Sequence, residues 1–175
     1  MRQLLAALFI AIGTSFAFAH GPTPQKVEEK VTIAASPEAI WAVIGDFANL
    51  AAWHPLVVNC TGTGGNGAGA ERSIELKDGG RIAEGLDEYD AAGHAYSYRL
   101  AKENVEALPV SSYSATLSVR SEGGSSEVVW KASFYRADTG NYPAEGRDDA
   151  AATEAMKAFF RAGLDNLEQL TEARQ

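Results

Sequence analysis

The sequence predicts an α+β fold in which a strongly bent antiparallel sheet of about seven strands wraps around a long C-terminal helix. Three observations indicate this: two short helical segments follow the first strand, a series of strand-like runs separated by turn signals comes next, and one long amphipathic run closes the chain. Short turns imply that consecutive strands pair antiparallel. A bent sheet with one apolar face needs a cover, which the final helix is long enough to supply.

The N-terminal residues 1–19 have the pattern of a secretory signal peptide. Arg2 gives a positive start, residues 4–18 are mostly apolar, and Ala17-Phe18-Ala19 is a small-x-small cleavage site. We expect cleavage after Ala19, which leaves residues 20–175 as a single exported domain. An uncleaved membrane anchor is the alternative, although the apolar run is shorter than the roughly 20 residues of a membrane span.

The expected mature chain is acidic. The sequence has 15 Lys plus Arg and 23 Asp plus Glu, and losing Arg2 with the leader leaves 14 basic residues and a net charge of −9. This charge argues against nucleic acid or an anionic membrane as partner and favours a basic protein, although solubility alone explains it equally well. Cys60 is the only cysteine, so we expect no intramolecular disulfide and interpret it as a small buried strand residue.

Residues 35–55, which read ASPEAIWAVIGDFANLAAWHP, predict two short helices joined at a corner. Ser36 is a good N-cap and Pro37 suits the first helical position, so the first helix should begin at Pro37. Asp46 follows a break in the apolar periodicity and can cap a second short helix that runs to Ala52.

Strand-like runs fill most of the remaining chain. An alternating run at 27–34 predicts the first strand, and further strands are expected at 56–61, 71–76, 81–89, 94–100, 111–119 and 127–136. Turns at 78–80, 90–93 and 122–125 contain the glycines that can supply a positive φ. Residues 148–172 repeat apolar side chains at helical spacing and predict the long C-terminal helix.

The motif at 35–55 resembles the START/Bet v 1-like superfamily, also called the polyketide cyclase/dehydrase or SRPBCC family. In that family a strand is followed by S-P-x-x-[IV]-W and then by D-F-x-x-x-x-x-W-H-P. The resemblance implies the helix-grip fold, with a cavity between sheet and long helix that the family uses for apolar ligands. Carriers, receptors and cyclases share this fold, so it does not assign a function. The matching residues are Ser36, Pro37, Ile40, Trp41, Asp46, Phe47, Trp53, His54 and Pro55.

Four further runs, at 20–35, 84–100, 104–119 and 134–143, are similar to the MxaD type of exported protein found with bacterial methanol oxidation systems. Members are periplasmic and are thought to assist methanol dehydrogenase in meeting its cytochrome c electron acceptor. The resemblance therefore implies a periplasmic, non-enzymatic accessory protein with these two possible partners. The polar loop before the last helix is a candidate contact surface for such a partner, and the alternative is that it is a plain connector. The candidate partner contacts there are Asp138, Asn141 and Tyr142.

Aromatic residues near or on the predicted strands are candidates for lining a cavity, where phenol hydroxyls could orient a ligand. Tyr96 and Tyr98 share a strand face by their period-two spacing. A carrier of a small hydrophobic ligand is accordingly the second functional hypothesis, and ordinary core packing is the alternative for each residue. The candidate set is Trp53, His54, Tyr89, Tyr96, Tyr98, Tyr113 and Phe134.

A cyclase-like enzyme is the third hypothesis. His54 is its main candidate because imidazole titrates near neutral pH, and it would need a tyrosine and a charged partner. The sequence offers Arg72, Glu75, Glu84 and Asp87 for the charged partner without showing which comes near. We interpret His54 as structural and expect no catalytic site.

No metal or cofactor is expected. The sequence has no nucleophile elbow, phosphate loop or paired-cysteine zinc pattern, and Gly-rich residues 62–69 are interpreted as a flexible hairpin. His20, placed at the new N-terminus by cleavage, could bind copper with His54 or His94, but the three histidines have no metal-ligand spacing. The acidic residues of 84–90 lack a calcium loop and are interpreted as a solvated strand edge.

Overall fold

A computed structural model describes residues 21–173 of the chain. One seven-stranded antiparallel sheet has the strand order β1-β7-β6-β5-β4-β3-β2. This arrangement, with the long helix at the C-terminus, confirms the predicted fold class; the predicted signal peptide and His20 lie outside the described residues. The elements are β1 (Gln25–Ile33), α1 (Pro37–Ile44), a 3₁₀ turn (Leu50–Ala52), β2 (Val57–Thr63), β3 (Glu71–Leu76), β4 (Arg81–Asp90), β5 (Ala95–Lys102), β6 (Val110–Glu122), β7 (Ser125–Arg136) and α2 (Asp149–Glu172).

Both α-helices begin with a side-chain cap. The Ser36 hydroxyl accepts the N–H of Ala39 at 3.2 Å, and the Asp148 carboxylate accepts the N–H of Ala151 at 2.9 Å. Each cap satisfies an amide that has no partner within its helix. α1 therefore starts at Pro37 as predicted, and α2 starts one residue after its predicted beginning.

The second short helix is less regular than predicted. It consists only of the 3₁₀ turn Leu50–Ala52, and Asn49 precedes it in place of Asp46. The Asp46 carboxylate instead accepts the N–H of Ala48 at 3.1 Å. Asp46 thus closes a local turn two residues on, which is the usual competing use of an aspartate side chain.

Bulges bend the sheet, and tight turns connect its strands. Register shifts occur within β2, twice in the β4–β5 pairing and within β6. Such bulges increase the bend and twist of a strand. The β6–β7 turn uses Gly123 and Gly124 at φ +55° and +94°. In the β4–β5 turn the positive φ is found at His94, +50°, whereas the sequence favoured Gly93.

α2 lies on the concave face of the sheet, against β1 and β7. Gly163 marks its closest approach, because a Cβ there would lie 2.7 Å from Cδ2 of His54 and 2.8 Å from Cζ3 of Trp130. The missing side chain lets the helix rest directly on these two rings. No helix among residues 21–173 combines the length and the apolar character needed to cross a membrane.

Candidate functional site

Most of the predicted cavity residues form one aromatic layer on the concave face. Several of them are in contact with neighbouring rings: Tyr98, for example, lies 5.9 Å from Phe47 and 6.3 Å from Tyr113, measured between ring centroids. Tyr89 is only half-buried and stacks on Tyr96 at 6.4 Å. The members that are at most 5% exposed are Trp53, His54, Tyr96, Tyr98, Tyr113 and Phe134.

Trp130 joins this layer to the long helix. Its ring stacks on Phe160 of α2 with centroids 4.4 Å apart, and it lies 5.4 Å from Trp53. Its indole N–H donates to the phenol oxygen of Tyr98 at 2.8 Å. Trp130 was not among the sequence candidates, although its position in the β7 alternation, two residues before Ala132, indicates an inward side chain.

His54 uses both ring nitrogens in structural hydrogen bonds. Nε2 bonds to the carbonyl of Phe159 at 3.0 Å, and Nδ1 bonds to the N–H of Leu56 at 3.3 Å. Since a carbonyl only accepts and an amide N–H only donates, the proton is on Nε2 and the ring is neutral. Burial lowers the pKa of His54 to about 4. The residue is therefore uncharged at neutral pH, and neither nitrogen is free to act as a general base.

A buried ion pair occupies the same concave face. Nε of Arg72 donates to Oε2 of Glu84 at 2.5 Å, and Nη1 donates to the carbonyl of Phe47 at 2.7 Å. The Tyr113 phenol donates to Oε1 of Glu84. Glu84 is 2% exposed, so its interpretation as part of a solvated strand edge was wrong. Period-two alternation in β4, where it stands between inward Ile82 and Leu86, was the signal that could have placed it.

The charge of Arg72 is held between aromatic rings. Its Cζ lies 4.2 Å from the ring centroid of Phe47 and 4.9 Å from that of Tyr98. Burial opposes the charged form, but the Glu84 carboxylate, together with smaller contributions from Tyr96, Tyr98 and Cys60, raises the pKa of Arg72 above its ordinary value. Cation–π contacts and the ion pair thus offset part of the desolvation cost.

The phenols around this pair remain protonated. Burial raises the pKa of Tyr96 to about 12 and, together with the charge of Glu84, raises the pKa of Tyr98 and Tyr113 well above the ordinary value. A protonated phenol can donate a hydrogen bond but cannot act as a base. Among the residues named in the cyclase hypothesis, His54 bonds to the backbone, whereas Glu84 and Tyr113 bond to each other.

Grooves lie at the edges of this core. One of about 250 Å³ opens beside α2 and is lined by apolar side chains that include Leu56, Leu108 and Phe159. A larger depression of about 480 Å³ lies across β1, β7 and β6, among Lys26, Lys131 and neighbouring hydroxyls. The register of these strands puts those side chains on the convex face, so the larger depression is separated from the aromatic layer by the sheet.

The loop between β7 and α2 contains the predicted partner contacts and is folded around Arg136 and Asp138. Arg136 donates to the carbonyls of Asp138 at 2.6 Å and Gly140 at 2.8 Å. The Asp138 carboxylate accepts the amides of Gly140 at 2.9 Å and Ala144 at 3.0 Å. These hydrogen bonds from backbone amides hold the pKa of Asp138 below its usual range, because they stabilise the ionised carboxylate. The Asp138 side chain thus links two parts of the loop.

The other two partner candidates project from this loop. Tyr142 is 96% exposed, and Asn141 beside it is also exposed. Tyr142 therefore differs from the buried tyrosines of β5 and β6, since its whole ring is available for contact. Asp138, at the base of the loop, is only half-exposed.

Other sequence candidates are dispersed. His54 lies in the aromatic layer, whereas His94 packs against Trp41 with ring centroids 5.7 Å apart. Within residues 21–173, no group of three or more His, Cys, Asp or Glu is placed to hold a metal. Cys60 is partly buried in β2, and burial raises the pKa of its thiol. In the Gly-rich β2–β3 connection, Asn66 accepts the N–H of Phe47 at 2.9 Å.

Comparison with solved structures shows the same architecture in several proteins. XoxI from Bacillus cereus superposes with a TM-score of 0.70 at 27% identity, covering 84% of this chain and 95% of that one. The Zhui aromatase/cyclase from Streptomyces sp. R1128 superposes with a TM-score of 0.66 at 19% identity, covering 87% and 96%. Ara h 8.0201 superposes with a TM-score of 0.65 at 17% identity, covering 86% and 99%. The similarities to the Zhui aromatase/cyclase and to Ara h 8.0201, both below 25% identity, establish only a shared fold.

Sequence comparison gives the family. No curated protein matches the chain. The family model described as polyketide cyclase/dehydrase and lipid transport matches residues 24–172, which are nearly all of the described chain. This match shows that the chain belongs to the polyketide cyclase/dehydrase (SRPBCC) family.

Proposed function

We propose that this chain is a periplasmic, non-enzymatic accessory protein that binds methanol dehydrogenase or its cytochrome c partner and assists their electron transfer. The observation that carries the proposal is the state of His54, whose two nitrogens are both occupied by backbone groups. The side chain that a cyclase would use most readily is thus committed to structure. The outer loops, by contrast, leave Tyr142 free for contact.

The acidic surface supplies a physical route for assistance. An excess of acidic over basic residues, 23 against 15 in the sequence, gives a negative field that attracts a basic partner. Such a field raises the encounter rate and favours particular orientations, and added salt weakens it. The protein would then act by holding and orienting a partner, with no bond made or broken on it.

A binding experiment tests this proposal. Isothermal titration of the mature protein with methanol dehydrogenase, and separately with cytochrome c, would be run at about 20 mM and about 200 mM salt, between which screening becomes strong. We expect binding to at least one partner at low salt and an affinity at least about tenfold weaker at high salt. An absence of binding to both partners at low salt would contradict the proposal.

A carrier of a small hydrophobic ligand is the second candidate. It is favoured by the groove beside α2, where Leu56, Leu108 and Phe159 surround about 250 Å³, and by the lipid transport in the family description. That volume is below the usual range for drug-sized ligands, so the occupant would be small or would insert only an alkyl chain. Native mass spectrometry of protein purified from its own cells should then show a retained apolar mass. Its repeated absence would count against a carrier.

A further inference from the structure

Several segments of the chain meet at one end of the molecule, around the groove beside α2. The N–H of Lys77 donates to the carbonyl of Leu56 at 3.0 Å, and the Arg147 guanidinium pairs with Glu106. Gly80 approaches the β5–β6 loop so closely that a Cβ would lie 2.4 Å from Ala107. We define this surface, the loop end, as Leu56 with residues 77–80, 103–109 and 137–148.

The loop end concentrates negative charge. The three loop segments contain six acidic residues and two basic ones within 23 residues. Arg147 is already paired with Glu106, which leaves Lys77 as the other basic residue of these segments. A surface of this composition repels an acidic partner and attracts a basic one. The acidic members are Asp78, Glu103, Glu106, Asp138, Glu145 and Asp148.

Apolar surface lies among these charges. Leu56 is 39% exposed and borders the groove that also includes Leu108 and Phe159. Tyr142, on the neighbouring loop, exposes 96% of its surface. An apolar centre surrounded by polar or charged side chains is the ordinary anatomy of a protein interface.

Tyr142 is presented by an ordered backbone. The Asp138 carboxylate accepts hydrogen bonds from the backbone N–H groups of Gly140 and Ala144, which lie on either side of Tyr142 in the sequence. Pro143 also favours an extended backbone at Tyr142. An aromatic ring on a preorganised loop loses little conformational entropy when it is buried by a partner. Tyrosines in this setting are frequent anchors of binding energy.

We propose that the loop end is the docking surface and that its occupant is a protein presenting lysines or arginines around an apolar pocket, which receives Tyr142. This inference rests on the proposed function, for which it names the contact surface. The complementary charge selects a basic partner face, and the groove beside Leu56 accepts an apolar side chain from that face. The buried aromatic layer takes no direct part in the contact.

Matched variants test the surface with whichever of methanol dehydrogenase or cytochrome c binds the wild type. Tyr142→Ala should weaken binding at least about tenfold, as expected for an anchor residue. Tyr135→Ala, which removes a 37% exposed ring from β7, should change it less than about twofold. Equal effects of the two substitutions would overturn the inference while leaving the proposed function standing.

Charge variants test the complementarity. Glu103→Gln with Glu145→Gln removes two charges from the loop end, and Glu88→Gln with Glu172→Gln removes two exposed charges elsewhere. We expect the first pair to weaken binding and to reduce its salt dependence more than the second pair. Equal salt dependence in both double variants would contradict a basic occupant at this surface.

Photo-crosslinking in the native cells shows whether the docking surface is wrong or only the identity of the proposed partner is wrong. p-Benzoylphenylalanine would replace Tyr142 in one protein and Tyr135 in the other, and mass spectrometry would identify each adduct. We expect one adduct protein from position 142, whose purified form binds the wild type and loses affinity for Tyr142→Ala. If that protein is neither methanol dehydrogenase nor cytochrome c, the docking surface stands and the proposed function fails. Adducts at neither position, or at 135 alone, would overturn the docking surface.

Discussion

Arg72 of β3 and Glu84 of β4 are directly opposite partners in the sheet and form an ion pair of 2.5 Å on its concave face. Both side chains are at most 3% exposed. Phe47 contributes a carbonyl and a ring to Arg72, and Tyr113 donates to the remaining oxygen of Glu84. The pair and the hydrogen bonds around it connect four segments that are distant in sequence.

Breaking this pair from one side should be costly. Glu84→Gln leaves the buried Arg72 charge without its counter-charge, and we expect it to lower the free energy of unfolding by about 3–5 kcal/mol. Tyr113→Phe leaves one Glu84 oxygen without a donor and should cost about 1–3 kcal/mol. Urea unfolding followed by circular dichroism measures both changes.

The surface pair formed by Asp87 and Arg99 is the matched control. Asp87→Asn should change the unfolding free energy by less than about 1 kcal/mol, because exposed ion pairs contribute little. If the Glu84→Gln variant is as stable as Asp87→Asn, the buried charge of Arg72 does not need the Glu84 carboxylate for its stabilisation, and the prediction is wrong.

His54 should make stability decrease on mild acidification. Its folded-state pKa of about 4 lies below the ordinary 6.5, so the unfolded chain binds the proton more readily. The contribution of neutral His54 to the free energy of unfolding is therefore fully present above the unfolded-state pKa. It is lost as the pH decreases from about 6.5 towards 4. Between pH 7 and pH 5 the loss should be about 2 kcal/mol. Urea unfolding at several pH values measures it, and His54→Gln should remove most of this dependence; an unchanged dependence would assign it to other groups.

Gly163→Ala should destabilise the protein even though alanine is the better helix former. The propensity gain is about 1 kcal/mol. The added methyl group, however, would overlap the His54 and Trp130 rings, and such overpacking costs about 1–3 kcal/mol or more. Thermal unfolding should show a lower Tm. Ala162→Gly, on the partly exposed side of the same helix, controls for propensity, and a Gly163→Ala protein more stable than wild type would refute the close packing.

Asp138 should titrate at lower pH than an ordinary aspartate, because its carboxylate accepts the amides of Ala144 and Gly140. The loop interactions are fully present above the ordinary pKa of 3.8 and are lost as pH falls through the lowered folded-state value. NMR titration of the Asp138 carboxyl carbon checks this. A midpoint at or above the ordinary aspartate value would contradict the loop geometry.

The regular parts of the fold could be predicted because local chemistry determines them. Ser36 with Pro37, Asp148 at the start of α2, and the two glycines of the β6–β7 turn each act within a few residues. The motif at 35–55 also supported the fold class that the structure confirms. Local signals are ambiguous where a side chain can make two different hydrogen bonds to the backbone. Asp46 was expected to cap a helix but closes a turn.

The site was harder to predict because its contacts join distant residues. Tyr113 and Glu84 are 29 positions apart, and His54 and Phe159 are 105 apart. Nothing local to either partner indicates such a pairing. The acidic composition of 84–90 favours a solvated edge, whereas the alternation of β4 places Glu84 on the inner face. The sequence nevertheless identified Tyr142, whose exposure now makes it the main candidate anchor.

One rate measurement would decide whether this protein assists electron transfer. Purified methanol dehydrogenase and cytochrome c would be mixed at low salt, and methanol-dependent cytochrome reduction followed as the protein is added, with Tyr142→Ala in parallel. A saturable rise in rate with the wild type, smaller with Tyr142→Ala and reduced by salt, is the predicted result. A rate unchanged at every protein and salt concentration would contradict the accessory role.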